Sequence, residues 1–598
     1  MQRRALLTAL AALAALPPLG AQTATTNLPP HPRLLATDAD WTGLQSRRQA
    51  DPDLEALVQI LLERARKDTK LPPRERVLEG KRLLTVSRDV LRRTLLWAFA
   101  WRITGDALFA ERAKTEMLQA ASFSDWNPSH YLDVAEMTTA LAIGYDWLHS
   151  VLNPEERQTL RRAIVDKGIA QARNGHKTFS MLNNWGQVCI SGMVLGALAV
   201  QEDEPQLCSD LLAAAQKKVH LALQAYAPDG VYPEGPSYWV YGTSYTVLLV
   251  AALRSCGFGG IDNWGLLQDP GLLRSTEFYA QSIGPTGKHF NFADSSDSQE
   301  LAAPFVYLVR ELQQPDWLQT KRTMVRSKQG ASDRFAPLAA LWWPTSQVTS
   351  SANTTPLQFV GQGPQPVAIW RSSWSDPQAW WFAIKGGGCA HNHAHMDAGG
   401  FVLEAMGVRW ATDLGMQNYE SLESKKVDLW NMKQGSPRWR IFRLGNDAHN
   451  TLMLDGQLHN ATGMATLHTP SPEEAVLDLK PVFLPGQVQT ASRTARFAAR
   501  SVLLHDQLEG TSAGLPVRWA MTTQAQIEIQ GDSALLHQNG QTMELRFSGN
   551  PVRLSVRDVA NTGNPLDAAN PNTRQLLASG NSDDQGQWQL QVAFTARS

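Results

Sequence analysis

Three short stretches of this chain place residues capable of acid–base or ligand chemistry close together. The first is Asn183-Asn184-Trp185-Gly186-Gln187. Trp185, Val188, Cys189, Gly192 and Met193 recur at helical spacing, so the Asn pair opens a buried helix. An Asn there can cap the helix. It can equally offer a carboxamide to an anion, beside backbone N–H groups and a dipole that already favour negative charge. The second stretch is Glu234-Gly235-Pro236-Ser237-Tyr238-Trp239-Val240-Tyr241-Gly242, with Tyr245 beyond. Tyr238, Tyr241 and Tyr245 share one helix face, and three buried phenols need three hydrogen-bond partners, which favours a polar cleft. The third is His391-Asn392-His393-Ala394-His395-Met396-Asp397, preceded by three glycines. Read as an extended strand, it aligns three imidazoles on one face, able to line a cleft or coordinate a metal. Asp413 and His449 are available to complete such a ligand set.

The elements that must position these clusters fall into two halves. From about Leu35 to Val325 the apolar period is helical, as in Leu91-Leu95-Ala98-Phe99 and Leu211-Ala215-Val219-Leu223. Asn153-Pro154-Glu155-Glu156 reads as a helix start, and Asp229-Gly230 and Gly257–Gly260 as stops. Helix pairs in a ring or solenoid suit this texture. Between about Ser327 and Pro366 the chain turns rich in Ser, Thr, Gln and Pro, which predicts a connection. Beyond it the period becomes two. Phe401–Met406 and Val408–Asp413 flank Gly407 as a hairpin. Further strand candidates are 451–454, 498–504, 517–521, 534–538, 543–547 and 587–594, and their spacing predicts an antiparallel sandwich. The expected fold is therefore α+β multidomain, an N-terminal helical toroid over 27–345 and a C-terminal antiparallel β-sandwich over 346–598.

Composition narrows the function classes. With 598 residues the chain exceeds what one core supports. Lys+Arg is 55 against 56 Asp+Glu, so no global basic charge points to nucleic acid. The four cysteines show no CxxC pairing, which argues against a zinc knuckle. Met1-Gln2-Arg3-Arg4, an Ala/Leu/Thr run to Leu16, Pro17-Pro18 and Gly20-Ala21 have the layout of a secretory signal over residues 1–21. No later run is long and apolar enough for a membrane span. The expectation is an exported protein, periplasmic or secreted.

The motifs also carry a resemblance. Asn-Asn-Trp at 183–185, Glu-Gly-Pro-Ser-Tyr-Trp at 234–239, His-x-His-x-Asp at 393–397 and Ala-His-Asn-Thr-Leu at 448–452 resemble, in that order, the heparinase II/III-like polysaccharide lyases. His31-Pro32-Arg33-Leu34-Leu35 and Asn127–Asp133 are similar as well. The resemblance implies an (α/α) toroid followed by a β-sandwich, acting on uronic-acid polysaccharides. These are glycosaminoglycans such as heparan sulfate, hyaluronan or chondroitin, with alginate as the next expectation.

Such a lyase removes the C5 proton α to a uronate carboxylate, so the site must neutralise that carboxylate, supply a base and protonate the leaving O4. By resemblance, Asn184 faces the carboxylate with Asn183 as helper, and Tyr238 serves as acid or base with Tyr241 as the alternative. His393 assists, and His393 or His130 would lower the tyrosine pKa. Trp185 stands where some relatives carry a histidine, which favours the branch using Asn and Tyr. Trp185 and Trp239 are candidate sugar platforms, and Arg438, Arg440 and Arg443 candidate partners for carboxylate or sulfate. The family's metal ligands fall on His395, Asp413 and His449. Zinc suits two imidazoles and a carboxylate, manganese and calcium being alternatives, with a structural role. Two other readings compete. An (α/α)-barrel glycoside hydrolase would draw on Asp133, Glu136, Glu234 and Asp294; a non-catalytic polysaccharide-binding protein would use the tryptophans.

Overall fold

The computed structural model describes residues 28–258, 260–344 and 355–597. The candidate export signal and the Ser/Thr-rich middle of the candidate connection, 345–354, lie outside the described residues.

Four long helices form the inner wall of the first half. Leu84–Thr104 packs on Tyr131–Trp147, which packs on Asn184–Ala199, which packs on Gly235–Ser255. Every residue of Tyr131–Trp147 is buried, as is every residue of Asn184–Ala199 except Trp185. Helices buried all round lie inside, sheathed by others. The sheath includes Pro52–Asp68, Ala107–Ser122, Pro154–Ala163 and Pro205–Gln216, each burying one face. The start predicted at Asn153 is a reciprocal capping box: Asn153 Oδ1 accepts from Glu156 N, and Glu156 accepts from Asn153 N, both at 2.9 Å. Ala336–Trp342 returns to pack on Ala303–Glu311, Leu84–Thr104 and Pro52–Asp68, closing the toroid.

From residue 358 onward the chain is antiparallel β. The first sheet is a meander of β1 (Gln358–Gly361), β2 (Val367–Arg371), β3 (Trp381–Lys385), β4 (Phe401–Ala405) and β5 (Val408–Ala411). An eight-stranded sheet running from Gln526–Gln530 to Thr466–Ser471, and a four-stranded one joining Arg553–Asp558, Arg574–Asn581, Pro516–Thr523 and Leu452–Leu454, complete the half. Trp519, Phe547, Phe594 and Phe401 pack between sheets in one β core, while β1–β3 also bury Phe359, Ile369 and Trp381 against the helices.

The sequence expectation over 498–504 needs correction. It crosses a hairpin turn between Thr490–Ala498 and Ser501–Glu509, because apolar alternation continues on both sides of a two-residue turn. The histidine segment is also not a strand: Gly386–Gly400 is a chain of turns, and His393 has φ +63°. His391, His393 and His395 therefore do not share a face. Cys189, Cys208, Cys256 and Cys389 are buried free thiols.

Candidate active site

A cleft of about 680 Å³ lies between the toroid and the β half. Asn184, Trp185, Tyr238 and Tyr241 line it from the helices; His393, Tyr419 and Trp430 line it from the β side.

The toroid side is set by two helix starts. Asn183 caps the Asn184–Ala199 helix, its Oδ1 accepting from Trp185 N at 3.1 Å. This is a capping role, and Asn183 is not among the residues that line the cleft. Asn184 is 1% exposed, and its Nδ2 donates to Glu234 Oε2 at 2.8 Å. The other Glu234 oxygen accepts from Asn392 Nδ2 at 2.7 Å. A carboxylate accepts only, so it fixes which end of the Asn184 amide carries the donors. Gly235 then turns the chain with φ +82°, where an added Cβ would stand 2.5 Å from Phe292 O. Only glycine fits, and Pro236 starts the helix that carries Tyr238.

Tyr238 stacks on His393, with ring centroids 3.8 Å apart and planes 19° apart. Its Oη is 2.8 Å from Tyr419 Oη. Tyr419 Oη in turn lies 2.9 Å from His393 Nδ1 and 3.0 Å from Asp294 Oδ2. Burial first, then the Asp294 charge, raises the Tyr238 phenol above its ordinary range; burial, then Tyr238 and Asp294, does the same to Tyr419.

Asp294 is the hub. Buried to 1% exposure, it accepts from Tyr419, reaches His393 Nδ1 at 3.1 Å and His395 Nε2 at 2.9 Å, and lies 3.5 Å from Arg438. Burial alone would raise its carboxyl, but the contacts with His393 and His395, with the Arg438 charge, hold it well below the usual carboxylate range.

Behind His395 the proposed ligand set converges. One donor atom each from His395, Asp413 and His449 lies within 4.8 Å of the others. His395 Nδ1 and His449 Nε2 are buried ring nitrogens without a hydrogen-bond partner, while His449 Nδ1 meets Asp413 Oδ2 at 2.9 Å. Two orphaned imidazole nitrogens beside a carboxylate fit a divalent cation.

Residues 368–591 match a family model described as Heparinase II/III-like, C-terminal. These residues form a heparinase II/III-like C-terminal domain. No curated protein matches the sequence. Among solved structures, the chain is similar to one titled heparinase III, at 13% identity and TM-score 0.57 over 88% of this chain and 79% of that one. A heparan sulfate lyase from Pedobacter heparinus aligns at 13% identity and TM-score 0.53 over 86% and 76%. A mutant of the chondroitin AC lyase of Streptomyces coelicolor A3 aligns at 13% and 0.53 over 93% and 82%. These likenesses extend over the helical half as well, so the toroid-plus-sandwich fold is shared.

The heparinase II/III-like domain and the toroid rearrange several of the sequence-based assignments. Trp239 is not a sugar platform: it is fully buried, stacked on Tyr279 at 4.2 Å and bonded to Ser275 Oγ. Trp185 does line the cleft, edge-on to His130 at 5.0 Å. His130 also lines the cleft, but is tied to Asp133 at 2.7 Å and is not among the partners of Tyr238. Arg438, Arg440 and Arg443 do not line it. Arg438 is fully buried and holds Ala394 O and Leu429 O, Arg440 is exposed elsewhere, and Arg443 pins Met416 O to the 569–570 loop. The cleft arginines are instead Arg82, Arg88 and Arg334. Tyr419, Trp430 and Asp294 were not singled out as partners of Tyr238. Tyr419 and Trp430 sit in an irregular stretch with no spacing signal. Asn392, inside the histidine motif, was visible but not assigned a role.

Proposed function

We propose that this protein is a polysaccharide lyase that cleaves uronic-acid-containing polysaccharides by β-elimination, glycosaminoglycans ahead of alginate. The observation that carries the reading is the Tyr238–Tyr419 pair, 2.8 Å apart, set beside an Asn184 carboxamide held by Glu234 in one cleft.

The free N–H of Asn184 donates to the uronate carboxylate. This donor strengthens as charge builds on the carboxylate during C5 deprotonation, where a preorganised dipole is most effective. Tyr419 is the base, because its hydroxyl can hand a proton onward. With its resting proton on Nε2, His393 leaves Nδ1 free: Tyr419 Oη takes the C5 proton while its own proton passes to His393 Nδ1, and Asp294 beside that nitrogen stabilises the resulting imidazolium. A phenol held above its ordinary pKa is a poor base alone, and the imidazole supplies the missing sink. The C5–H electron pair forms the C4–C5 double bond, the C4–O bond breaks, and O4 takes the proton of Tyr238. Tyr238 regains a proton from Tyr419 through their shared hydrogen bond, and the His393 imidazolium returns its proton to Tyr419, which resets the site. Trp430, 40% exposed and edge-on to His393 and Tyr419, offers a face to the sugar.

His395, Asp413 and His449 would hold the divalent cation, zinc being the best fit. Bound there, the ion would supply a charge that cross-links the loops and fixes the His395 ring with its Nε2–H on Asp294. An extracellular or periplasmic setting accords with the candidate export signal at residues 1–21 and with a polymeric substrate.

A hydrolase reading has one observation in its favour: burial, then the Asp333 carboxylate, raise Glu300 above the ordinary carboxylate range. Its partner is committed, since both Asp333 oxygens accept backbone N–H groups, from Ala302 and Phe335. Asp133, Glu136, Glu234 and Asp294 are likewise engaged. Incubation with a panel of uronic polysaccharides separates the readings. Growth of the ultraviolet band of the unsaturated uronate is expected; new reducing ends without it would overturn the lyase.

A further inference from the structure

The four-stranded sheet of the β half carries a groove of about 840 Å³, and no residue that lines it also lines the cleft. Along Pro516–Thr523, Val517 and Trp519 enter the β core, so Arg518 between them stands on the outer face. Arg518 is opposite Ser579 on Arg574–Asn581, and Ser579 is opposite Arg553 on Arg553–Asp558. Residues opposed in register project from one face, and adjacent strands lie about 4.8 Å apart. The two arginines therefore stand about 10 Å apart across the sheet, with the Ser579 hydroxyl midway. Met453 continues the row on the far side of Arg518.

Arg518 and Arg553 are the charged residues among those lining the groove, and no carboxylate lines it among the described residues. Asp447 lies alongside, but one of its oxygens serves both Arg518 at 2.7 Å and Arg557 at 2.9 Å. Arg553 is exposed and forms no ion pair among the described residues. Three guanidiniums thus meet one carboxylate, an excess of two positive charges. The whole chain carries 55 basic against 56 acidic residues, so this excess is a local feature.

We propose that this groove is a second site for an anionic polysaccharide, separate from the reacting cleft, which takes a carboxylate or sulfate between Arg518 and Arg553. That the polymer is the one cleaved rests on the lyase reading. A guanidinium fork matches both anions. The walls favour a sugar chain over a small free anion: Ser555, Ser579 and Asn581 offer hydrogen bonds to hydroxyls, and Met453 and Val552 offer apolar surface to C–H faces. Each exposed charge contact is weak alone. A chain already held in the cleft presents its remaining charges to the groove at a high effective concentration, so a weak second contact still adds to retention.

The test measures retardation in native gels containing heparan sulfate, chondroitin, hyaluronan or alginate, using the Tyr238→Phe protein so that the polymer is not degraded. With the polymer that retards it most, Arg553→Glu and Ser579→Glu should each weaken affinity at least about threefold, the scale of one exposed charge contact. Arg553→Lys should retain most of the affinity. Both positions are exposed, so thermal melts should match the parent. Arg500→Glu, at an exposed hairpin turn outside the groove, is the control for net charge and should leave affinity near the parent value. Unchanged affinity in Arg553→Glu and Ser579→Glu overturns the groove, as does an equal loss in Arg500→Glu or no retardation by any of the four polymers. Inorganic sulfate should displace the polymer no better than chloride at equal ionic strength. Displacement beyond that, lost in Arg553→Glu, marks a small-anion site and overturns the polysaccharide assignment. Groove-dependent retardation with no unsaturated product from the wild type overturns the lyase and leaves the groove; unsaturated product with affinity untouched by the groove variants does the reverse.

Discussion

Tyr238 and Tyr419 are 181 residues apart in the chain, one on a toroid helix and the other on the β side, and their hydroxyls meet at 2.8 Å. The pair closes the cleft chemically: neither half carries both phenols, and Asp294 and His393 fix Tyr419 in place from either side. Replacing either phenol should therefore be costly. Tyr238→Phe and Tyr419→Phe are each expected to lose at least about 10²-fold in kcat with KM changed little, the cost of removing a proton-transfer group. Tyr241→Phe should act chiefly on KM. Steady-state kinetics with thermal melts to verify folding decide it. Near-normal turnover in Tyr419→Phe would return the base role to His393.

Asn184 and Glu234 give a second, graded expectation. Asn184→Ala removes the donor to the uronate carboxylate and should cost roughly 10²–10³ in kcat, or about 2.7–4 kcal/mol. Glu234→Gln keeps the shape but loses the acceptor that orients the amide, and should fall between wild type and Asn184→Ala. If Glu234→Gln is as inactive as Asn184→Ala while equally folded, Glu234 does more than orient.

Metal content is the third. Purified protein is expected to carry about one divalent ion per chain by elemental analysis. Chelation should lower the melting temperature, because a ligand bound only by the folded state stabilises it by mass action. His449→Ala should abolish both the ion and the chelator effect. A metal-free protein whose melting temperature ignores chelator would remove the site.

A pH dependence follows from the far end of the toroid. His31 contacts Asp146 Oδ1 at 2.5 Å and Glu202 Oε1 at 2.9 Å. Burial alone would lower its pKa, but the bonds to Asp146 and Glu202 prevail and raise it above the ordinary 6.5. A raised histidine pKa means the folded state binds the proton more tightly than the unfolded one. The stabilisation is thus fully present below about 6.5 and fades as pH climbs through the raised value. His31→Gln should flatten the decline of melting temperature above pH 6.5. An identical slope in the variant would show that His31 contributes nothing to it.

Much was legible in the residues themselves. The helical period before residue 325 and the period of two after 365 reflect how each element buries one face, a local property that survives without knowing what covers it. The Asn184 helix start and the Tyr238 helix were likewise readable, because helix spacing and cap chemistry are local; the histidine motif was not, since turns rather than strand alternation place its imidazoles. Which residues meet across the cleft was decided by tertiary structure alone. Tyr241 shares a helix face with Tyr238, yet Tyr419 is the phenol that pairs with Tyr238, from a loop with no periodic signal. Trp239 sits beside Tyr238 in sequence, but a one-residue step on a helix turns a side chain by about 100°, into the core, while Asn183 precedes the helix in extended backbone and turns its side chain back as the cap. The arginines before His449 were plausible anion partners by charge, and the fold spent Arg438 and Arg443 on backbone carbonyls. Asp294, which joins the histidines to Tyr419, gathers ligands from segments about a hundred residues downstream, and no one-dimensional spacing encodes such a convergence.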